Sequence, residues 1–193
     1  MPNWSYNTLV VQGSPKEREK FKKFAKFKLR KKEMERMGIT PSQAKKIVLD
    51  FNNFIPYPEC FKMQDVARVR MTELNNKMSK GKTLTKNEKN EMATIVLQYG
   101  YEFSDGYNSG GWDWCCSHWG TKWNACELQP ITELKGETLI EFDTAWQPPF
   151  PVILKMSEMF PKLTFTLNFE VEGEERGLES FTLKNGKEIK DED

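Results

Sequence analysis

An α+β fold is predicted by three features of this 193-residue sequence. A strand-like stretch and a capped amphipathic helix follow one another at its start. A hairpin, a short helix and a strongly alternating strand close it. Helical stretches with no strand of their own lie between. Hydrophobic residues at 38% and charged residues at 30% describe a globular chain, long enough to bury a core as one domain. No apolar run approaches the roughly 18 residues that a bilayer span needs. The opening MPNWSYNTLVVQG has neither the basic nor the apolar region of a signal peptide. A cytoplasmic location without membrane association is therefore expected, with Cys60, Cys115, Cys116 and Cys126 as free thiols.

The elements follow in order. Residues 4–12 alternate with apolar side chains on both parities, as in a strand covered on both faces. Ser14, Pro15 and Glu17 stand as N-cap, first helical residue and capping-box acid of a helix. In that helix Phe21, Phe24, Ala25 and Leu29 fall on one face and lysines on the other. The pattern stays helical and basic as far as Gly38, and Thr40 with Pro41 can open a short helix to Leu49. The two prolines of FNNFIPYP (51–58) forbid a helix or a central strand there. Residues 63–78 and 87–99 read as two helices, and 100–111 as a loop. Residues 119–128 read as the second strand and 138–144 as its neighbour across the turn Lys135-Gly136-Glu137. Residues 152–160 read as a helix stopped by Pro161, and 163–171 as the clearest strand. Asn185-Gly186 marks a final edge hairpin. Without the helical insertion, placed at 39–100 between the first helix and the second strand, the order is strand, helix, strand, strand, helix, strand. That is the split β-α-β arrangement, a ferredoxin-like antiparallel sheet with two packing helices. The chain is read as one domain, 1–193, with a solvated tail at 190–193.

The phrases MPNWSYNTLVVQG, FNNFIPYP, WGTKWNA, FDTAWQPP and FPKLTFTLNFE occur in this order. Through them the chain resembles a phage and plasmid family whose members carry a YubB-type ferredoxin-like domain. The resemblance runs from Met1 to about Glu170. It implies the ferredoxin-like fold and a mobile-element origin, hence the cytosol of a host cell, and it implies no catalytic residue set.

The stretch 110–127, GGWDWCCSHWGTKWNACE, concentrates four of the six tryptophans, three of the four cysteines and the single histidine. Cys115, Cys116, His118 and Cys126 have zinc-ligand chemistry at a poor spacing, since adjacent cysteines in an extended segment point to opposite faces. A Cys–His nucleophilic pair would need an orienting group and an oxyanion hole. Asp113 and Asn124 are near in sequence, but nothing places them. No phosphate loop, dinucleotide fingerprint or HExxH motif is present. Neither a metal nor a cofactor is expected. The tryptophans read mainly as core, except Trp112 and Trp114, which sit in a Gly-rich approach and suit a partner surface.

Net charge is +1, unevenly spread: residues 16–36 hold 11 Lys/Arg against 4 Asp/Glu, and 170–193 hold 9 acids against 4 bases. Lys22, Lys23, Lys26, Lys28, Arg30, Lys31 and Lys32 form a basic stripe for an acidic partner or for phosphates. The expectation is thus a non-enzymatic accessory protein of a mobile element. It would bind and inhibit or modulate a host protein, such as a defence nuclease or a protein–nucleic-acid complex. Direct nucleic-acid binding through the basic helix is the alternative, and a Cys/His-dependent enzyme the distant one.

Overall fold

The computed structural model describes residues 3–27, 40, 42 and 48–189. In chain order its strands and α-helices are β1 (Trp4–Gln12), α1 (Pro15–Ala25), α2 (Glu59–Ser79), α3 (Lys86–Tyr99), α4 (Trp112–Trp119), β2 (Thr132–Leu134), β3 (Glu137–Ala145), α5 (Phe150–Met159), β4 (Thr164–Val171), β5 (Glu179–Lys184) and β6 (Lys187–Ile189). The chain divides into two compact units, Met1–Pro56 with Asp113–Asp193, and Tyr57–Trp112.

In the first unit six strands form one sheet in the order β2-β3-β1-β4-β5-β6, every pairing antiparallel. The four-strand part β2-β3-β1-β4, with α1 after β1 and α5 between β3 and β4, is the ferredoxin-like arrangement that the sequence predicts. Alternation decides which face is buried. Leu9 and Val11 of β1, Ile140 and Phe142 of β3, and Phe165 and Leu167 of β4 are buried on one side. Phe21 of α1 meets Phe165 edge-on at 5.3 Å, and Val152, Ile153 and Met156 of α5 are fully buried. The opposite face carries Tyr6, Thr8, Val10 and Gln12 of β1, half-exposed or exposed.

Local chemistry sets the element ends. Ser14 caps α1 by accepting from the Glu17 amide. The helix stops at Ala25 because Lys26 turns extended, and the Asn53 side chain takes up the Ala25 and Lys26 carbonyls at 3.0 and 2.8 Å. The helical continuation expected over 29–38 and the short helix expected over 40–49 fall almost wholly outside the described residues, as does the tail 190–193. Asn185 (φ 50°) and Gly186 (φ 73°) form the two-residue turn between β5 and β6, and the Gly186 amide donates to Ser157 Oγ of α5.

One strand is misplaced by the sequence. Residues 119–128 are not the second strand: α4 runs to Trp119, and an irregular segment follows. Gly120, Glu127 (φ 47°) and Pro130 interrupt it, and its backbone bonds to the edge of β3 are a Cys126–Asp143 bridge and Gln129 N donating to Glu141 O. The strand paired to β3 across Lys135-Gly136 is β2, three residues long.

The second unit is built on the antiparallel-type helical pair read at 63–78 and 87–99, each helix starting earlier than read. Thr85 and Glu88 make a full capping box at the start of α3. Ala67, Met71 and Ile95 form its small core, joined by Met92, Val96, Tyr99 and Phe103. Arg70 grips Glu91 with two nitrogens at 3.1 and 2.9 Å, and Lys77 reaches both Glu88 oxygens at 2.8 Å, tying α2 to α3.

Candidate functional site

The basic stripe is partly committed to structure. Lys22 pairs with Glu133 of β2 at 2.6 Å and with Glu19 at 2.9 Å. Lys23 approaches Glu19 at 4.0 Å, and Lys26 is exposed at the helix end. Lys28, Arg30, Lys31 and Lys32 lie outside the described residues. Arg18, which the sequence reading did not single out, is only 6% exposed. Its guanidinium donates to Glu133, to the Glu137 and Gly13 carbonyls and to Thr138 Oγ1. The missed signal was its spacing, three residues before Phe21 on the apolar side of α1.

Trp112 and Trp114 are on α4, not in a loop. Cys115 and Trp119, four residues apart, give that helix a buried stripe. Trp114 lies flat on His118, with ring centroids 4.4 Å apart and 8° between planes, and meets Trp119 edge-on at 5.5 Å. His118 Nδ1 is 3.0 Å from the Trp114 carbonyl and 2.8 Å from Ser117 Oγ. Both Nδ1 contacts close within its own helical turn. Burial, with Asp113 adding to it, pushes the Cys116 thiol above its ordinary range. Burial and Asp143 push Cys126 up to about 11. Both thiols are thus held in the weakly nucleophilic form at neutral pH. Among the described residues no three His, Cys, Asp or Glu side chains are grouped so as to hold a metal ion.

Four of the five phrases that stood out in the sequence are joined to one another by hydrogen bonds. Asn124 of WGTKWNA accepts the Phe51 amide at 3.0 Å and donates to Asp50 at 2.7 Å, beside FNNFIPYP. Trp119 Nε1 donates to the Ile55 carbonyl at 2.8 Å. Thr121 Oγ1 donates to Ala145 O in FDTAWQPP at 2.9 Å. Asn7 of the opening phrase donates to Thr144 Oγ1 at 3.0 Å, and the Trp146 amide donates to Asn3 O at 2.8 Å.

An aromatic cluster sits on this frame. Trp4 and Trp123 are 6.5 Å apart, and Lys122 Nζ lies 4.8 Å from the ring centroids of both Trp123 and Trp146. Trp146 is 40% exposed and holds φ 76°, a left-handed backbone that a bulky residue rarely adopts. The sequence assigned Trp123 and Trp146 to the core; in the fold they bracket an ammonium at the surface. Carboxylates lie on the open sheet face that Trp4 shares. Asp143 stands opposite Tyr6 on β1, Glu170 faces Tyr6 from β4, and Glu141 is two residues along β3 on the same face. Burial and the nearby Glu127 raise the Asp143 carboxyl above its usual range. Lys122 and Tyr6 carried no functional reading in the sequence. The dipeptide Lys122-Trp123 beside Trp146 was the available clue, but the turn that closes it was not legible.

The second unit carries a different surface. An open groove of about 640 Å³ is lined by Met78, Leu84, Met92, Val96, Leu97 and Tyr101, with Lys82 and Lys89 also in its wall. Leu97 and Tyr101 are 89% and 83% exposed.

The class defined by this topology is a ferredoxin-like α+β protein with an added helical pair. Residues 118–193 match the family model described as the ferredoxin-like domain in Api92-like protein. The central strand β1, at 4–12, is supplied from outside that matched segment. In three dimensions the chain is similar to the crystal structure of a protein Api92 from Yersinia pseudotuberculosis, at 8% identity and a TM-score of 0.51, with 98% of this chain and 96% of that one covered. Likeness at that identity concerns the fold alone. A comparison with curated proteins found no match. Among the described residues no helix is long and apolar enough to cross a membrane.

Proposed function

We propose that this chain is a binding protein of a phage-type mobile element, which acts by occupying a surface of a host protein and catalyses nothing itself. The observation that carries the reading is the groove of the second unit. Leu97 and Tyr101 are left almost wholly in water beside Met78, Met92 and Val96. Contiguous exposed apolar surface of this kind marks protein interaction sites. Lys82 and Lys89 in the groove wall suit a partner ridge that is apolar with flanking carboxylates. The resemblance to a phage and plasmid family supports a host target. A defence nuclease or a nucleic-acid-processing complex is the class we favour.

Direct nucleic-acid binding through α1 is less well supported, because Lys22 places its charge on Glu133 and Glu19. The test is affinity capture from host lysate with the parent chain and with a Leu97→Asp, Tyr101→Asp variant. Both side chains are exposed, so the variant keeps its fold. The parent recovers a stoichiometric protein and the variant does not. Absence of a partner, or equal recovery by both, refutes the reading.

A further inference from the structure

We propose that the slot between Trp123 and Trp146, filled in this chain by its own Lys122, is a receiving site for an arginine or lysine side chain in a basic segment of a partner protein. The groove of the other unit plays no part in this inference.

Three observations carry it. First, the slot already accepts a cation: the Lys122 ammonium stands 4.8 Å from both ring centroids. Second, among the described residues Lys122 makes no ion pair with a carboxylate, so the two rings are its main hold. Contacts of that kind are weak enough to be displaced. A guanidinium stacks on indole better than an ammonium does, being planar and less strongly hydrated. Third, the open sheet face that Trp4 shares, with its ring 6.5 Å from Trp123, carries carboxylates for the rest of a basic segment. Tyr6, 48% exposed, lies between Asp143 and Glu170 across the sheet, and Glu141 follows on the same face. Glu127 lies close enough to Asp143 to raise its carboxyl.

The same carboxylates decide against a nucleic acid at this site. Aromatic side chains on a ferredoxin-like sheet can stack bases, but a phosphate backbone would then cross Asp143, Glu141 and Glu170. A basic polypeptide can place one cation in the slot and others over the carboxylates.

The experiment titrates a short fluorescein-labelled arginine peptide into the full chain by fluorescence anisotropy at physiological salt. Lys122→Ala empties the slot. Lys135→Ala, in the exposed β2–β3 turn, makes the same change in charge away from it. Lys122→Ala is expected to tighten binding by about five- to thirty-fold, the size of two exposed cation–π contacts, and Lys135→Ala by less than about two-fold. Trp146→Ala and the near-isosteric Asp143→Asn are each expected to weaken binding several-fold, with unchanged circular dichroism. Leu97→Asp is expected to leave peptide binding unaltered, which separates this site from the groove. Equal affinities for the two lysine variants overturn the proposal. So does undiminished binding by a folded Asp143→Asn variant, or binding of single-stranded DNA in place of the peptide.

Discussion

Replacing Arg18 by methionine tests how the first helix is fixed to the sheet. The guanidinium makes four kinds of contact: Glu133 Oε2 at 2.6 Å, Glu137 O at 2.7 Å, Thr138 Oγ1 at 2.9 Å and Gly13 O at 3.2 Å. Methionine keeps most of the stem's packing and removes every donor. Glu133 is not orphaned, because Lys22 stays at 2.6 Å and its own side chain is 44% exposed. Thr138 Oγ1 keeps its bond to Glu133. The main loss falls on two carbonyls, at about 1–3 kcal/mol each for bonds made by a charged donor. Relief from burying the arginine offsets part of it. The net is a destabilisation of about 3 kcal/mol, or a fall in Tm of about 6–12 °C for a chain of this size. Urea unfolding followed by tryptophan fluorescence measures it, since Trp4, Trp114, Trp119, Trp123 and Trp146 all lie in the first unit. Lys22→Met, a more exposed partner of the same carboxylate, should cost under about 1 kcal/mol. If Arg18→Met costs no more than Lys22→Met, Arg18 is not the lock described.

The other predictions concern separate features. Gly106→Ala would drive a methyl into the Phe61 carbonyl and Gly111→Ala into the Tyr57 hydroxyl. Each should destabilise the second unit by about 1–3 kcal/mol or more, seen as faster hydrogen exchange in α2 and α3. The Lys77 ammonium and the Thr85 amide hold Glu88 down to about 2, against an ordinary value of 4.5. Its folded value is depressed, so its contribution is fully present above about pH 4.5 and is lost as pH falls towards 2. An NMR titration of the Glu88 carboxyl checks this, and a midpoint near the ordinary value refutes it. Cys60 is exposed, Cys115 is buried and burial drives Cys126 to about 11. Iodoacetamide at neutral pH should therefore label Cys60 first and Cys126 slowly, as read by mass spectrometry; equal rates would contradict the burial.

How legible the fold was depended on whether a segment's signal was local. The cap at Ser14, the alternation of 163–171 and the Asn185-Gly186 turn are each written in a few adjacent residues, and each element is present. The stretch 112–119 failed because WDWCCSHW follows two glycines and reads as a loop leading into a strand. Its helical stripe is only Cys115 and Trp119, and the aromatic stack that supports it, Trp114 on His118, is an i, i+4 contact. The site was less legible still. Trp4, Lys122 and Trp146 are brought together by turns at 120–127 and 145–149 whose geometry depends on long-range bonds such as Trp146 N to Asn3 O. Arg18 was hidden in a run of basic residues, where only its register with Phe21 sets it apart.

That last case bears on function as well as on fold. Counted along the sequence, the chain has a basic end and an acidic end, and such a map invites a reading in which the lysines meet phosphates. Counted by surface, the charges fall differently. Arg18 and Lys22 are matched by Glu133 in β2, not by the acidic end of the chain. Asp143, Glu141 and Glu170 are gathered on the open face beside Tyr6, which Trp4 shares. A polyanion-binding member of this fold needs its positive potential over the sheet aromatics, because stacking and phosphate contacts must be made by one strand of nucleic acid at once. Here the aromatics and the negative charge coincide. The same geometry that weakens a nucleic-acid role for the sheet strengthens one for a cationic protein segment, and charge reversal of Asp143 and Glu170 to lysine should exchange the two preferences.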